Sequence, residues 1–351
     1  MKKKIIKILA FPKNRFSGNP HISNFYKEIE GDNRFIIKDL NTINAILEKF
    51  DIFHLHWPEF FIKQSHIKSF FRIIFFILIL SIFKLRKTKI IWTVHNLYPH
   101  NNIKPKLYLF VLNILKLYLD GITFFSYDSR TIVNKQFKFT KSIKNAVIPH
   151  ALYDYNLKPS KKITEDLLKN INIKERGSKL LLFFGRIDKY KDLKGLIKTF
   201  NKIDDKKLYL LIVGNYSEKN YFNEIKKLSD KNKNLTLIIG FFPEEKISSL
   251  FHIADLVVLP FINILNSGSL MLALSLQKPV LAPSLGSINE LKDKIGHQTL
   301  ITYDKLNKEI LMDAVSKCKA PKNDILQQFS LKNVAKLYQN FYLKILNSTM
   351  R

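Results

Sequence analysis

The hydrophobic and polar positions of this chain form two series of short apolar runs that alternate with longer amphipathic segments. The first series covers residues 5–11, 52–56, 90–95, 122–126 and 146–149, and the second covers residues 180–185, 208–214, 235–240, 256–260 and 280–282. Short apolar runs of this kind are typical of buried parallel strands, and the segments between them are long enough for helices. The pattern therefore predicts an α/β fold with two doubly wound, Rossmann-like domains.

The gap between the two series predicts the domain boundaries. We expect a first domain over residues 1–157, a linker over 158–178 and a second domain over 179–329. The polar segment 158–162 contains Pro159, which favours a connection between domains. Residues 330–351 show a helical pattern that either completes the second domain or crosses back to the first.

The charge of the chain is strongly positive. Its 351 residues include 58 Lys and Arg against 29 Asp and Glu, a formal net charge of +29. Such a balance favours partners with negative charge, namely phosphates, nucleic acid or an anionic membrane surface. The basic residues are spread among many Ile and Asn, so a composition bias explains them as well as a binding patch does. Cys318 is the single cysteine, which excludes intrachain disulfides and Cys-rich metal sites and fits a cytoplasmic protein.

Two apolar segments bear on a membrane location. Residues 5–11 are interrupted by Lys7 and are too short for the apolar region of a signal peptide, so they predict a strand. Residues 69–83 contain Arg72 and Ser81 and fall short of the ~20 residues that span a bilayer, so we expect no crossing. Basic residues flank this second segment. It either rests on anionic headgroups or packs as a buried helix, and the sequence leaves both interpretations open.

A phosphate-binding loop is predicted after the first strand of the second domain. The apolar run 180–184 ends at Gly185, Arg186 follows, and Lys191 precedes a new helical pattern. Gly185 permits a tight turn, Arg186 offers a planar fork of donors, and Lys191 adds a second positive charge. Fixed cations at a strand end suit a diphosphate, whose charge they stabilise as it leaves. The alternative is that both are solvated surface cations.

The second domain resembles the GT-B glycosyltransferases of the large retaining group. The resemblance rests on Gly-Arg-Ile-Asp-Lys-Tyr-Lys at 185–191, Leu-Ile-Val-Gly at 211–214, the turn 240–245, the run 254–260, and Lys-Pro-Val at 278–280 followed by Gly286. These elements match the family in order and spacing over residues 180–292. The resemblance implies a GT-B architecture with a cleft between two domains, a nucleotide-sugar donor that the loop at Gly214 also contacts, and a base beside Phe241, Phe242 and Pro243.

One departure from that family concerns the donor site. Its members usually carry two glutamates before the Pro-Val pair, whereas no acidic residue lies between Asp255 and Glu290. In their place stand Asn266, Ser267, Gly268 and Ser269. This loop is expected to open a helix that binds phosphate or sugar oxygens, or else to supply an ordinary serine N-cap. A subset of bacterial exopolysaccharide glycosyltransferases, including β-mannosyltransferase-like proteins, is similar in having such a Ser-Gly loop.

Polar side chains also follow two strands of the first domain. His56, Trp57 and Glu59 follow one predicted strand, and His95, Asn96 and His100 follow the next. Both groups resemble elements of the same exopolysaccharide enzymes, which implies that His95 points toward the reaction centre and that the others line the acceptor site. Glu59 suits a general base in an inverting transfer, or it caps the following helix. His54, inside the strand, is expected in the core.

Three further positions complete the candidate site. Gly18 and Asn19 resemble a short loop that approaches the donor phosphates and the acceptor in first domains of this type, or they form a simple turn. His150 follows the fifth strand, where it either faces the acceptor or belongs to a hinge turn.

These features predict a glycosyltransferase that moves a sugar from a GDP- or UDP-sugar to a saccharide or lipid-linked saccharide in bacterial surface polysaccharide synthesis. No Asp-x-Asp sequence is present to hold a metal with the diphosphate, so neither a metal nor another cofactor is expected. The protein is expected in the cytoplasm or on the inner face of the cell membrane. Two alternatives stay open: a GT-B-fold sugar-nucleotide epimerase, and a basic nucleic-acid-binding protein. No zinc-finger spacing or RNA-binding aromatic signature supports the second, so no nucleic-acid partner is expected.

Overall fold

The computed structural model describes residues 5–13, 21–62, 65–99, 105–154, 158–171 and 177–348. Its internal contacts divide the chain into two compact units. Unit 1 comprises Met1–Ala151 together with Phe329–Arg351, and unit 2 comprises Leu152–Gln328. Each unit contains one six-stranded parallel sheet, as the alternation of apolar runs and helical segments predicts.

Unit 1 has the strand order β2-β1-β3-β4-β5-β6. The strands are β1 (Ile6–Phe11), β2 (Phe35–Asp39), β3 (Ile52–Leu55), β4 (Lys89–Thr93), β5 (Gly121–Phe124) and β6 (Asn145–Val147). The helices between them are α1 (His21–Glu30), α2 (Thr42–Leu47), α3 (His66–Leu85), α4 (Pro105–Leu115) and α5 (Tyr127–Gln136). The strand order reverses between β1 and β3, and the carboxyl ends of strands at such a switch point are where ligands of open α/β sheets bind.

The helices of unit 1 lie on both faces of its sheet. The chain moves from β1 to β2 in one direction along the sheet and from β3 to β6 in the other. Because crossovers between parallel strands are right-handed, α1 covers one face, and α3, α4 and α5 cover the other.

Unit 2 has the strand order β12-β11-β10-β7-β8-β9. The strands are β7 (Lys179–Phe184), β8 (Leu208–Gly214), β9 (Leu235–Ile239), β10 (Leu256–Val258), β11 (Val280–Pro283) and β12 (Leu300–Tyr303). The helices are α6 (Lys161–Ile171), α7 (Leu193–Phe200), α8 (Lys219–Ser229), α9 (Glu244–Ile253), α10 (Gly268–Ser275), α11 (Ile288–Ile295), α12 (Lys308–Lys317) and α13 (Asn323–Leu326). Here the switch point lies between β7 and β10, where the predicted phosphate loop begins.

The last helix of the chain, α14 (Leu331–Asn347), packs against α1. It buries Tyr338, Phe341, Tyr342 and Ile345 in the core that also contains the buried side of β1 and β3. The C-terminal residues are therefore part of unit 1, although unit 2 separates them from the rest of it in sequence.

The sheets differ from the predicted pattern at their edges. The apolar runs do not reveal β2 or β12, because β2 alternates buried and exposed positions and the middle of β12 is only partly buried. Residues 158–178, for which a linker is predicted, contain α6, which packs against α9 and buries Leu167 and Ile171. This amphipathic helix is not predicted, because the lysines and acidic residues of its exposed side make the segment polar on average.

Helix α3 is apolar on two faces. One face packs into unit 1 through Ile73, Phe76, Ile79, Leu80 and Phe83, so the buried-helix interpretation holds for that side. The opposite face presents Ile67, Phe70, Phe71, Ile74 and Leu78, which are 71, 61, 65, 39 and 57% exposed. Within the described residues, no helix combines the length and the apolar character that crossing a membrane requires.

Candidate active site

The predicted phosphate loop of unit 2 is built around two glycines. Gly185 follows β7 with a φ of +139°, and a Cβ there would lie 2.5 Å from Lys191 Nζ and 3.2 Å from Ser269 Oγ. A Cβ on Gly214, at the end of β8, would collide with the carbonyl oxygen of Gly185. Only glycine fits at either position, because any side chain would displace the lysine or the loop. The structure thus brings Lys191 and Ser269 together beside the bare backbone of Gly185.

Lys191 is a buried charged residue among the described residues of unit 2. It lies at the end of the 3-10 turn Lys189–Lys191, its residue is only 5% exposed, and its Nζ lies 5.4 to 5.8 Å from the ring centres of Phe183, Tyr190 and Phe261. Burial, against the opposing charge of Asp188 and with a smaller effect of Arg186, lowers the pKa of Lys191 from 10.5 to about 8. In the described part of the chain, no carboxylate lies within ion-pair distance of this ammonium group. A buried cation of this kind is stabilised when an anion arrives.

Arg186 is held differently. Its Nε donates to Asp188 Oδ2 at 2.8 Å, and its side chain is 49% exposed. Ser217 also donates a hydrogen bond to Asp188, which fixes the carboxylate from its other oxygen. The guanidinium is therefore oriented by Asp188 but remains in contact with solvent, as a phosphate ligand requires.

The Ser-Gly loop opens helix α10. Ser267 is the N-cap and accepts a hydrogen bond from the backbone of Leu270 at 3.1 Å, so the capping interpretation of this serine is correct. Gly268 leaves room for Tyr153, whose hydroxyl would be 2.9 Å from an added Cβ. The residue that the structure places toward Gly185 and Lys191 is Ser269. Asn266, just before the cap, is partly buried.

The two phenylalanines predicted beside the base have different environments. Phe241 is 76% exposed. Phe242 is 7% exposed and meets the ring of Phe184 edge-on at 6.4 Å, so it belongs to the core. Pro243 is the N-cap residue of α9. Of this turn, Phe241 therefore offers an accessible aromatic face to a base.

In unit 1, the ends of β3 and β4 bring several predicted residues into one cluster. His56 Nδ1 lies 2.8 Å from His95 Nε2, and the indole of Trp57 stacks on His95 at 4.3 Å. Phe125 lies between His95 and His150, at 5.0 and 5.1 Å from their rings. Adjacent parallel strands end at the same sheet edge, which explains why residues 39 positions apart in sequence meet here.

The cluster includes two residues that were not among the predicted site residues. His21 stacks on His150 at 4.3 Å, and Phe125 fills the space beside it. His150 Nδ1 donates to the carbonyl of Ala151 at 2.7 Å. His21 ends the segment 17–21, which resembles the short donor loop, but no role was predicted for it, and no motif surrounds Phe125. The fold places both in the cluster. His54, expected in the core, is fully buried.

The histidines of the cluster are neutral near pH 7. Burial, with the neighbouring histidines second, lowers the pKa values of His21, His56 and His95 well below 6.5. Burial also lowers the pKa of His150 to about 4, against the effect of its hydrogen bond to Ala151. Neutral imidazoles both donate and accept, which suits sugar hydroxyls better than phosphates.

Glu59 follows the same strand as His56 and Trp57. It belongs to the 3-10 turn Pro58–Phe61, and burial raises its pKa from 4.5 to about 7. Burial, with the charge of Glu59 second, raises the pKa of Tyr108 on α4 well above 10. Among the described residues, no hydrogen bond joins Glu59 to the histidines. The capping alternative is wrong, because Ser65 is the residue that caps α3.

The remaining predicted positions divide into two groups. Asn96 is partly buried directly after His95. Gly18, Asn19 and His100 lie outside the described residues. No group of three or more His, Cys, Asp or Glu side chains that could hold a metal ion occurs in the described ranges.

The comparison with known proteins now decides the class. Residues 164–317 match the family described as glycosyl transferases group 1, and this match contains the phosphate loop and the Ser-Gly loop. The chain is 25% identical over 306 residues to the GDP-mannose:glycolipid 4-beta-D-mannosyltransferase of Xanthomonas campestris pv. campestris, covering 86% of this chain and 80% of that relative. The chain is a glycosyltransferase.

Solved structures support the fold of this glycosyltransferase. A glycosyltransferase from Rickettsia africae aligns with a TM-score of 0.67 at 17% identity, covering 97% of this chain and 99% of that one. HepE from Anabaena, in complex with UDP-glucose, aligns with a TM-score of 0.64 at 13% identity, covering 98% of both chains. The predicted α/β fold of GT-B type, with two Rossmann-like sheets, is confirmed.

Proposed function

We propose that this glycosyltransferase moves a hexose from a nucleoside-diphosphate sugar to a saccharide or lipid-linked saccharide in bacterial surface polysaccharide synthesis. The observation that carries the proposal is the buried ammonium of Lys191 beside Gly185, Ser269 and an oriented Arg186. A leaving diphosphate supplies an anion for Lys191, which no carboxylate of the described residues approaches within ion-pair distance. As the glycosidic bond breaks, the two cations stabilise the negative charge that develops on the phosphate oxygens.

The donor is proposed to be GDP-mannose. Support comes from the name of the Xanthomonas relative, which uses GDP-mannose and a glycolipid. The Anabaena structure with UDP-glucose makes a UDP-sugar the alternative. Incubation with each labelled sugar nucleotide and a lipid-linked acceptor tests the proposal. Transfer of label to the acceptor supports it, whereas an epimer formed without acceptor identifies an epimerase instead.

Transfer is expected to continue without a divalent metal. Lys191 and Arg186 provide the positive charge that a metal supplies in other transferases. We therefore expect the initial rate of transfer in about 5 mM EDTA to stay within about twofold of the rate without EDTA. The measurement is label transfer with and without EDTA, with Mg²⁺ added back as a control. Complete loss of transfer on chelation, restored by Mg²⁺, contradicts this mechanism.

The first unit is proposed to bind the transferred sugar and the acceptor. His95, His56, Trp57 and His150 offer neutral donors and acceptors beside an indole face, which is the composition of a carbohydrate site. Glu59 is the proposed general base. Its pKa of about 7 lets the carboxylate accept a proton from the acceptor hydroxyl near neutral pH. A base is needed for inversion, which agrees with the β-linked product in the name of the Xanthomonas relative.

A membrane-facing surface is proposed on the exposed side of α3. Its five apolar side chains recur at helical spacing, and Lys68, Arg72 and Lys87 are exposed on or just after the same helix. Helix α4, on the same face of the sheet, adds Phe110, which is 53% exposed. An apolar stripe with basic neighbours fits the headgroup region of an anionic bilayer, where a lipid-linked acceptor is found.

Vesicle binding is expected to depend on this stripe. Removing Phe70 and Phe71 together (Phe70→Ser, Phe71→Ser) takes two rings out of the acyl region, each contributing about 1.5–3 kcal/mol when buried, so partition weakens at least about tenfold. The measurement is co-sedimentation with phosphatidylglycerol vesicles, compared with phosphatidylcholine. The control is Leu337→Ser on α14, a helix that packs with α1 on the other face of the sheet. Equal partition of the double variant and the control rejects the surface.

A further inference from the structure

A chain of hydrogen bonds runs from helix α14 through the core of unit 1 to His95. Tyr342 Oη and Tyr26 Oη each lie 2.8 Å from His54 Nδ1. Tyr26 Oη also lies 2.6 Å from His56 Nε2. His56 Nδ1 in turn lies 2.8 Å from His95 Nε2. The last helix of the protein is thereby connected to the histidine that we place at the transferred sugar.

The fold explains why these side chains meet. His54 and His56 are two positions apart along one extended segment, so both point to the same face of the sheet. That face is covered by α1, which supplies Tyr26, and by α14, which supplies Tyr342. The exposed fractions of all four residues are 3% or less, so water does not replace their hydrogen bonds. Buried polar atoms of this kind need protein partners.

Every member of the chain is neutral near pH 7. Burial lowers the pKa of His54 to about 3, and it lowers those of His56 and His95 well below 6.5. Burial also raises the pKa values of Tyr26 and Tyr342 well above 10. Each imidazole therefore has one N–H and one lone pair, and each phenol has one proton to donate.

Tyr342 determines the direction of the chain at its first bond. In the described part of the protein, the partner of its buried hydroxyl is His54 Nδ1. A buried donor without an acceptor is costly, so the Tyr342 proton points to that nitrogen, which must carry a lone pair. His54 is then protonated at Nε2 and donates to Thr93 Oγ1, which lies 2.7 Å away.

The remaining bonds follow from the lone pair on His54 Nδ1. A Tyr26 proton directed at that nitrogen avoids two lone pairs facing each other at 2.8 Å. The single lone pair of His54 Nδ1 is then shared by the Tyr342 and Tyr26 hydroxyls in a three-centre hydrogen bond. The Tyr26 oxygen then accepts from His56 Nε2–H. His56 Nδ1 is left with a lone pair and accepts from His95 Nε2–H. A neutral His95 with its proton on Nε2 is an acceptor, and not a donor, at Nδ1.

We propose that Tyr342, His54, Tyr26 and His56 are positioning residues that hold His95 in the tautomer protonated at Nε2. The role of this tautomer in transfer rests on the proposed function, in which His95 contacts the transferred sugar. A sugar hydroxyl beside His95 Nδ1 then donates a hydrogen bond to that nitrogen. The hydrogen-bonded chain itself can be tested without substrate.

The test is ¹⁵N NMR of the full-length protein with labelled histidine, in which the His95 signals are assigned by their loss in His95→Asn. We expect the wild-type protein to show Nε2 of His95 protonated and Nδ1 unprotonated. Tyr342→Phe removes the hydroxyl that fixes the direction, so both tautomers of His95 should appear. Tyr338→Phe is the matched control, because this residue lies one turn earlier on α14, is equally buried, and contacts Thr93 and Thr123 at 3.2 Å and not an imidazole nitrogen.

Two results overturn the proposal. One is that His95 of the wild-type protein is protonated at Nδ1, a result that does not depend on whether any variant folds. The other is an unchanged His95 tautomer in both Tyr342→Phe and Tyr26→Phe, since the second variant cuts the chain between His54 and His56. Transfer kinetics separate this from the proposed function. We expect Tyr342→Phe to lower kcat about tenfold relative to Tyr338→Phe at unchanged KM. If the variant instead shifts the tautomer of His95 but leaves kcat unchanged, the hydrogen-bonded chain is supported and the role of His95 in transfer is rejected.

Discussion

Replacing Lys191 by methionine is expected to lower kcat/KM for the donor about 10³-fold while making the protein more stable. The activity falls because one of the two cations beside the leaving diphosphate is lost. The stability rises because the buried ammonium has no described carboxylate partner, and its pKa is lowered from 10.5 to about 8. At pH 7 this corresponds to a destabilisation of up to about 3 kcal/mol that methionine removes.

The effect of Lys191 on the stability of the protein is expected to depend on pH. The folded pKa of Lys191 is below its unfolded value, so its destabilising effect is complete below pH 8 and disappears as the pH rises toward 10.5. The stability difference between Lys191→Met and wild type should therefore shrink over that interval. Affinity for a nucleoside diphosphate should weaken as the pH rises through 8, because the free lysine loses its proton. Lys191→Arg keeps its charge and should show no such decline.

Urea unfolding between pH 7 and 10 and calorimetric titration with GDP or UDP measure the two effects. Lys189→Met is the matched control. Lys189 lies in the same turn, but its side chain is 67% exposed and pairs with Glu218. It should change neither quantity appreciably. A Lys191→Met protein that is less stable than wild type at pH 7 contradicts the assignment of Lys191 as an unpaired buried cation.

Replacing Glu59 by glutamine is expected to lower kcat about 10²- to 10³-fold, with little change in donor affinity. Glutamine keeps the shape but cannot accept a proton. The wild-type rate should rise with pH around 7, where Glu59 loses its proton, and the variant should lack this rise. Because burial raises the folded pKa above the unfolded value of 4.5, wild-type stability falls as the pH rises from 4.5 to about 7 and stays lower above it, so the variant should also be more stable than wild type at pH 8.

The pH–rate profile of Glu59→Gln and the anomeric configuration of the product measure this role. Glu48→Gln serves as the control, because Glu48 is a surface partner of Lys38. NMR of the product should show inversion. A retained configuration, or a Glu59→Gln protein with wild-type kcat and pH profile, excludes Glu59 as the base.

The sequence predicts the sheets of this protein better than it predicts the contacts between distant parts. The run before Gly185 predicts β7 and its loop, because a continuous apolar segment that stops at glycine has few alternative structures. The sequence does not indicate that Phe242 packs on Phe184, because exposed and buried aromatic residues of a turn cannot be distinguished from the sequence. The direction of a side chain there depends on the neighbouring strand.

The chain of hydrogen bonds from Tyr342 to His95 in unit 1 could not be predicted from the sequence either. Tyr342 and His54 are 288 residues apart, and no motif marks Tyr26 or Tyr342. Their meeting depends on α14 packing against α1, which local propensity does not encode. The predicted cluster of His56, Trp57 and His95 fared better because all three follow neighbouring parallel strands, whose ends share one sheet edge. Glu59 follows the same strand, yet the 3-10 turn at Pro58 carries it toward α4.

The most direct test of the diphosphate site is calorimetric titration of GDP and UDP into wild type, Arg186→Ala and Lys191→Met at pH 7, with the nucleoside monophosphates as controls. We expect the wild-type protein to bind one of the diphosphates more tightly than its monophosphate. Each variant should lose most of that difference while its unfolding transition remains cooperative. Equal diphosphate affinity in all three proteins would show that the buried lysine and its neighbouring arginine do not hold the donor.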